Sequence, residues 1–225
     1  MRFQDAARDG RAVVYASIQA DPLVVRAAAL LASASRGERI LARAAMNGER
    51  THPDTWRRMF PTLFGPAAEP ASLARAEAML AAALQVAERG EQVRNQIRGA
   101  IVEALTATLL ARRVPATAVR RERRVLFDGV PAEIHPYDVT VESSGAGEAW
   151  DCKWGARGIN ADVLHQLDDA RTHAADEEER LSVGLVVFDA ELSCRIRLER
   201  QTAPWQATRL IALDTLDALA GSSAR

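Results

Sequence analysis

After Pro115 the chain abandons helical spacing for three strand-like stretches, with a helical pattern on either side. This change of period constrains the fold more than any other feature. Ahead of it, Val93, Ile97, Ile101, Ala104, Leu105, Thr108 and Leu109 trace one face of a helix that starts at Glu91 and ends near Arg113. Beyond Pro115, Val119–Phe127 is rich in β-formers and Asp128-Gly129 is a turn signal. Ile134–Val141 reads as a second strand, broken by SSGAG at 143–147, and Glu148–Trp154 as a third, ending at Gly155. Asn160 then caps a helix carrying Val163, Leu164, Leu167, Ala170 and Ala174, whose end the acids from Asp176 to Glu179 should fray. Leu181–Phe188 is apolar throughout, as in a strand buried on both faces. Ser193–Arg200 is ambiguous, Arg209–Leu213 reads as a last strand, and Asp214 is placed to cap a closing helix to Ala220. The order α-β-β-β-α-β, with a short β-α extension, predicts an α/β fold built on a mixed α+β sheet over residues 91–225.

Residues 1 to about 90 read as an all-helical region. Val13–Ile18 is a short apolar run of uncertain type. Asp21 and Pro22 open a helix to Leu31, and a second runs from about Glu38 to Met46 after Gly37. Asp54 is placed to cap a short helix to Phe60, and Ala71–Arg89 is an alanine-rich helix stopped by Gly90. DNA recognition, dimerisation and partner binding are the roles open to this region.

The chain is near neutral, with net charge −1, so bulk attraction cannot make it a nucleic-acid binder. Locally the balance differs. Arg112, Arg113, Arg120, Arg121, Arg123 and Arg124 stand against the single acid Glu122, a run suited to phosphate contacts. No apolar run has the roughly 18 residues of a membrane span, and the start lacks the apolar segment of a secretory signal. Cys152 and Cys194 are too few for a disulfide framework, so reduced thiols and a cytoplasmic location are expected. The four histidines show no metal-finger spacing with these cysteines, which argues against zinc.

Of the 29 basic residues one alone is lysine, Lys153. A chain that uses arginine for every other cation has kept a compact ammonium at this position. On the third strand Asp151 and Lys153 share a face, with Cys152 pointing the other way. Asp138 lies on the preceding strand, and the turn between lets the two carboxylates converge. Glu103 sits on the flank of its helix's apolar stripe, at a boundary between core and solvent. Paired carboxylates form a hard-oxygen site for Mg²⁺, which takes phosphate oxygens as further ligands, and an adjacent ammonium can orient a water.

These residues, in this order, resemble the PD-(D/E)xK nuclease superfamily with its restriction-endonuclease-like fold. The match is Asp138 on the second core strand and Asp151-Cys152-Lys153 on the third. Tyr137 rather than proline precedes Asp138, and the third-strand acid is Asp rather than the commoner Glu. The resemblance implies metal binding by Asp138 and Asp151 with Glu103, water handling by Lys153, and support from Gln166 on the following helix. It further implies a Mg²⁺-dependent DNA endonuclease, with Mn²⁺ able to substitute, acting as a homodimer or as a subunit of a larger complex. Restriction or other anti-phage defence is the expected setting, with DNA repair or recombination second. The competing expectation is an inactive nuclease fold that serves as a DNA-binding or structural subunit.

Overall fold

The computed structural model describes residues 1–6, 10–48, 51–131, 135–143 and 146–221. The chain forms two compact units, one of Gly10–Leu105 and one of Met1–Asp9 with Thr106–Arg225. The division falls inside a continuous helix rather than at residue 90.

The first unit is helical: α1 (Gly10–Gln19), α2 (Pro22–Ala32), α3 (Arg36–Asn47), α4 (Pro53–Met59), α5 (Pro61–Phe64), α6 (Pro70–Ala87) and most of α7 (Glu91–Leu110). Proline opens α2, α4, α5 and α6, where its missing N–H costs nothing and its fixed φ suits the first turn. Asp21 caps α2 as its position predicts, accepting from Leu23 N. The cap of α4 is His52, not Asp54, and that of α3 is Ser35, in a reciprocal box with Glu38. Buried alanines, among them Ala27, Ala42, Ala45, Ala76 and Ala83, let the helices approach closely. Leu31, Leu41, Met46, Met79 and Leu80 fill the space between.

The second unit is a seven-stranded mixed sheet with helices. Its strands are β1 (Arg2–Asp5), β2 (Val119–Phe127), β3 (Val130–Pro131), β4 (Tyr137–Ser143), β5 (Ala146–Lys153), β6 (Arg180–Val187) and β7 (Arg209–Ala212). The order is β1-β2-β4-β5-β6-β7, with β3 paired to β2. Pairing is antiparallel from β1 to β5 and parallel from β5 to β7. Helix α8 (Ala161–Asp176) links β5 to β6, and α9 (Glu191–Glu199) links β6 to β7. The succession α7-β2-β4-β5-α8-β6 is therefore present, and the fold is α/β with a mixed sheet.

Three local choices build this sheet. Asp128 and Gly129 have φ of 48° and 82°, the left-handed pair of a two-residue hairpin turn joining Phe127 to Val130. Asn160 accepts from Val163 N and starts α8, which buries Leu164, Leu167 and Ala170. Gly184 leaves room for the indole of Trp150, since a Cβ there would fall 2.4 Å from the ring. Trp150 is wholly buried, with the Arg209 guanidinium 5.4 Å from its centroid.

Three segments differ from the sequence reading. Arg2–Asp5 is a strand rather than part of a helical region, paired with β2 from Arg2↔Leu126 to Asp5↔Arg123. The ambiguous stretch around Ser193 is helix α9. The closing segment is a 3-10 helix, Leu213–Ala220, and Asp214 does not cap it; its Oδ2 accepts from Glu191 N at the start of α9.

Candidate active site

Strands β4 and β5 pair from Ser143↔Ala146 to Val139↔Trp150, and the ladder stops there. One step further, a side chain replaces the backbone: Asp138 Oδ2 accepts from Cys152 N at 2.6 Å. A carboxylate that takes over a main-chain amide is fixed in direction, so Asp138 is aimed by the same strand that carries Asp151 and Lys153.

Alternation along β5 does as expected. Lys153 Nζ lies 2.6 Å from Asp151 Oδ2 on a shared face, whereas Cys152 Sγ points to Thr106 Oγ1 of α7 at 3.5 Å. Asp151 is 7% exposed, and among the described residues its Oδ2 has no polar partner besides the ammonium. Burial alone would lower the Lys153 pKa, but the carboxylates of Asp151 and Asp138 outweigh it and hold the ammonium above the usual lysine range. Both carboxylates thus favour the ammonium form of Lys153.

A third acid stands beside them. Glu122 on β2 and Asp138 on β4 offer carboxylate oxygens within 4.8 Å of each other. The register explains why, since Arg121↔Val139 and Arg123↔Tyr137 leave Glu122 opposite Asp138. Glu122 has φ of 52°, a backbone conformation that costs a non-glycine residue about 1–3 kcal/mol. In the sequence Glu122 is only the acid that interrupts an arginine run. An antiparallel register for the first two strands of the trio would have revealed it. One hard divalent cation, binding oxygens at about 2.0–2.1 Å for Mg²⁺, can span such a pair.

Gln166 is on α8, where its Nε2 donates to His135 O at 3.0 Å and its carbonyl accepts from Tyr137 OH at 3.3 Å. It thereby braces the lead into β4, with His135 three residues ahead of Asp138. Glu103, in the helical unit, departs from expectation: at 3% exposed it is buried rather than at the edge of the core. Helix α1 covers it on one side, where the Tyr15 hydroxyl and Gln19 Nε2, the latter at 2.7 Å, both donate to its carboxylate.

The arginine run divides. Arg113 donates to Leu219 O at 2.8 Å and pairs with Glu148. Arg123 is gripped by Glu142 through Nε at 2.7 Å and Nη2 at 3.2 Å, and by Asp5. These two are tied into the fold, whereas Arg112 and Arg120 are exposed. In a strand a run of arginines alternates between the two faces, so it does not make one basic surface.

A cleft of about 600 Å³ lies elsewhere, lined by Pro115, Val141, Gly147, Ala174 and Leu181 among others. It is largely apolar and contains none of Asp138, Asp151 and Lys153. Compared with family models, curated proteins and solved structures, the chain matches none. Among the described residues no single helix is long and apolar enough to cross a membrane.

Proposed function

We propose that the sheet unit is a Mg²⁺-dependent nuclease of the PD-(D/E)xK type, hydrolysing phosphodiester bonds in DNA. The observation that carries this reading is the convergence of Asp138, Asp151 and Lys153 where β4 and β5 part, on strands in the order the resemblance calls for. Asp138 and Asp151 would hold the cation with Glu122 beside them, and Glu103 joins this set on the strength of the resemblance alone. The bound cation would polarise a phosphoryl oxygen and lower the pKa of a coordinated water. Lys153, fixed as an ammonium, donates hydrogen bonds that orient the attacking water and offsets charge building on the phosphate. Gln166 keeps the entry to β4 in place. Arg112 and Arg120 are the exposed members of the arginine run suited to phosphates. The resemblance, not the site, suggests a setting in restriction or anti-phage defence, with DNA repair second, and a dimeric or multi-subunit enzyme in the cytoplasm.

The test is cleavage of plasmid and linear DNA by purified protein with Mg²⁺, Mn²⁺ or EDTA. The reading requires metal-dependent cutting that is lost in both Asp151→Ala and Lys153→Ala; cutting that survives both substitutions refutes the site. The 2.6 Å Asp151–Lys153 contact also favours a second reading, an inactive fold in which the pair is structural and the protein only binds DNA. DNA binding without cleavage under any metal supports that alternative.

A further inference from the structure

We propose that Gly158 is a positioning residue for Lys153, its missing side chain forming the rest on which the lysine stem lies. The inference deepens the proposed nuclease reading and rests on it for its catalytic consequence. A Cβ at position 158 would fall 3.0 Å from Lys153 Cδ and 3.2 Å from its Cβ and Cγ. Contact along three successive carbons means that the stem runs against the backbone of the turn. Gly158 lies outside the left-handed region, so an alanine there needs no left-handed backbone, and the three atoms nearest its Cβ all belong to the lysine.

Which partner yields to an added methyl decides the effect. The turn is pinned from several sides: Gly158 N donates to Gly155 O at 2.9 Å and Ile159 N to Ala156 O at 3.1 Å. Ala156 N donates to Asp189 Oδ2 at 3.0 Å, Arg197 Nε of α9 donates to Ile159 O at 2.9 Å, and Ile159 is wholly buried. The lysine backbone is equally fixed, paired at Lys153↔Val187, with Phe188 N donating to Lys153 O at 2.9 Å. The lysine side chain beyond Cβ is the part left to move, and moving it carries the ammonium away from its 2.6 Å contact with Asp151. The turn after β5 thus sets where the cation sits, and a glycine at 158 is what allows it.

Because Lys153 is the only lysine, ¹⁵N-lysine labelling of the full chain gives a single Nζ resonance. Gly158→Ala is expected to shift that resonance and speed exchange of its protons with water. Gly90→Ala, where an added Cβ meets nothing within 4 Å among the described residues, serves as the control and should leave it in place. In cleavage assays Gly158→Ala should lower kcat roughly tenfold to a hundredfold with KM nearly unchanged, the scale of a misplaced catalytic group. An unchanged Nζ resonance in Gly158→Ala overturns the proposal, whatever the activity. A shifted resonance in a protein that cuts nothing supports the positioning role and counts against the nuclease reading instead. Should Gly158→Ala fail to fold, Arg197→Ala loosens the same turn from outside and must move the same resonance; if it does not, the proposal is wrong.

Discussion

Replacing Lys153 with methionine keeps the aliphatic stem and deletes the charge that neutralises the acids around it. Asp151, at 7% exposed and with the ammonium the sole polar partner of its Oδ2 among the described residues, would be left as an uncompensated buried carboxylate near Asp138. Breaking a buried pair from one side costs about 3–5 kcal/mol. The lysine side chain is one-quarter exposed, which places this pair at the lower end, about 3 kcal/mol. For a chain of this size each kcal/mol moves Tm by roughly 2–4 °C, so Lys153→Met should melt about 6–12 °C lower in calorimetry near neutral pH. Added Mg²⁺ should recover part of the loss by binding the folded state only. A Lys153→Met protein as stable as its parent at neutral pH, with no gain from Mg²⁺, would refute the claim that Lys153 compensates these carboxylates.

With the Lys153 pKa raised above its unfolded value, the pair's contribution to stability is complete below about pH 10.4 and is lost only above that. Thermal unfolding in EDTA should therefore show no loss from lysine deprotonation between neutrality and roughly pH 10, and a fall in Tm across that range that vanishes in Lys153→Arg would contradict this. Glu122→Gln should weaken Mg²⁺ binding about tenfold in titration calorimetry, the scale for removing a supporting group at a metal site. Glu122→Gly should weaken it as well at little cost in stability, because glycine relieves the φ of 52°; unchanged affinity in both variants would remove Glu122 from the site. DNA binding should fall steeply from low to physiological salt, and Arg112→Ala or Arg120→Ala should each reduce the slope of log K against log salt by about one. Arg123→Ala, which strips Glu142 and Asp5 of their partner, should lower Tm instead and leave that slope alone.

The elements legible in the sequence are those specified by local chemistry. Strand β2 matches its β-forming run from Val119 to Phe127, the Asp128-Gly129 turn has the geometry its residues favour, and Asn160 caps α8. Asp151 and Lys153 could be placed on one face of β5 because alternation in a strand follows from sequence alone. What could not be read depends on distant partners. Arg2–Asp5 has no pattern of its own and is a strand only because β2 offers an edge to pair with. Glu103 looks peripheral on its own helix but is buried, with Tyr15 and Gln19 of the distant α1 donating to its carboxylate. Glu122 joins the acids through register, and Gly158 meets the lysine through a turn pinned by α9, neither of which a linear pattern encodes.

The most direct test of the central claim compares single-turnover DNA cleavage by the parent protein and Lys153→Arg at saturating Mg²⁺. Arginine keeps the charge but replaces the compact ammonium with a planar, bulkier head that cannot occupy the position beside Asp151 in the same way. Efficient, metal-dependent cutting is expected from the parent and a rate lower by about 10²–10³ from the variant. Equal rates for the two proteins would show that Lys153 does no more than supply positive charge, and would contradict the site built around it.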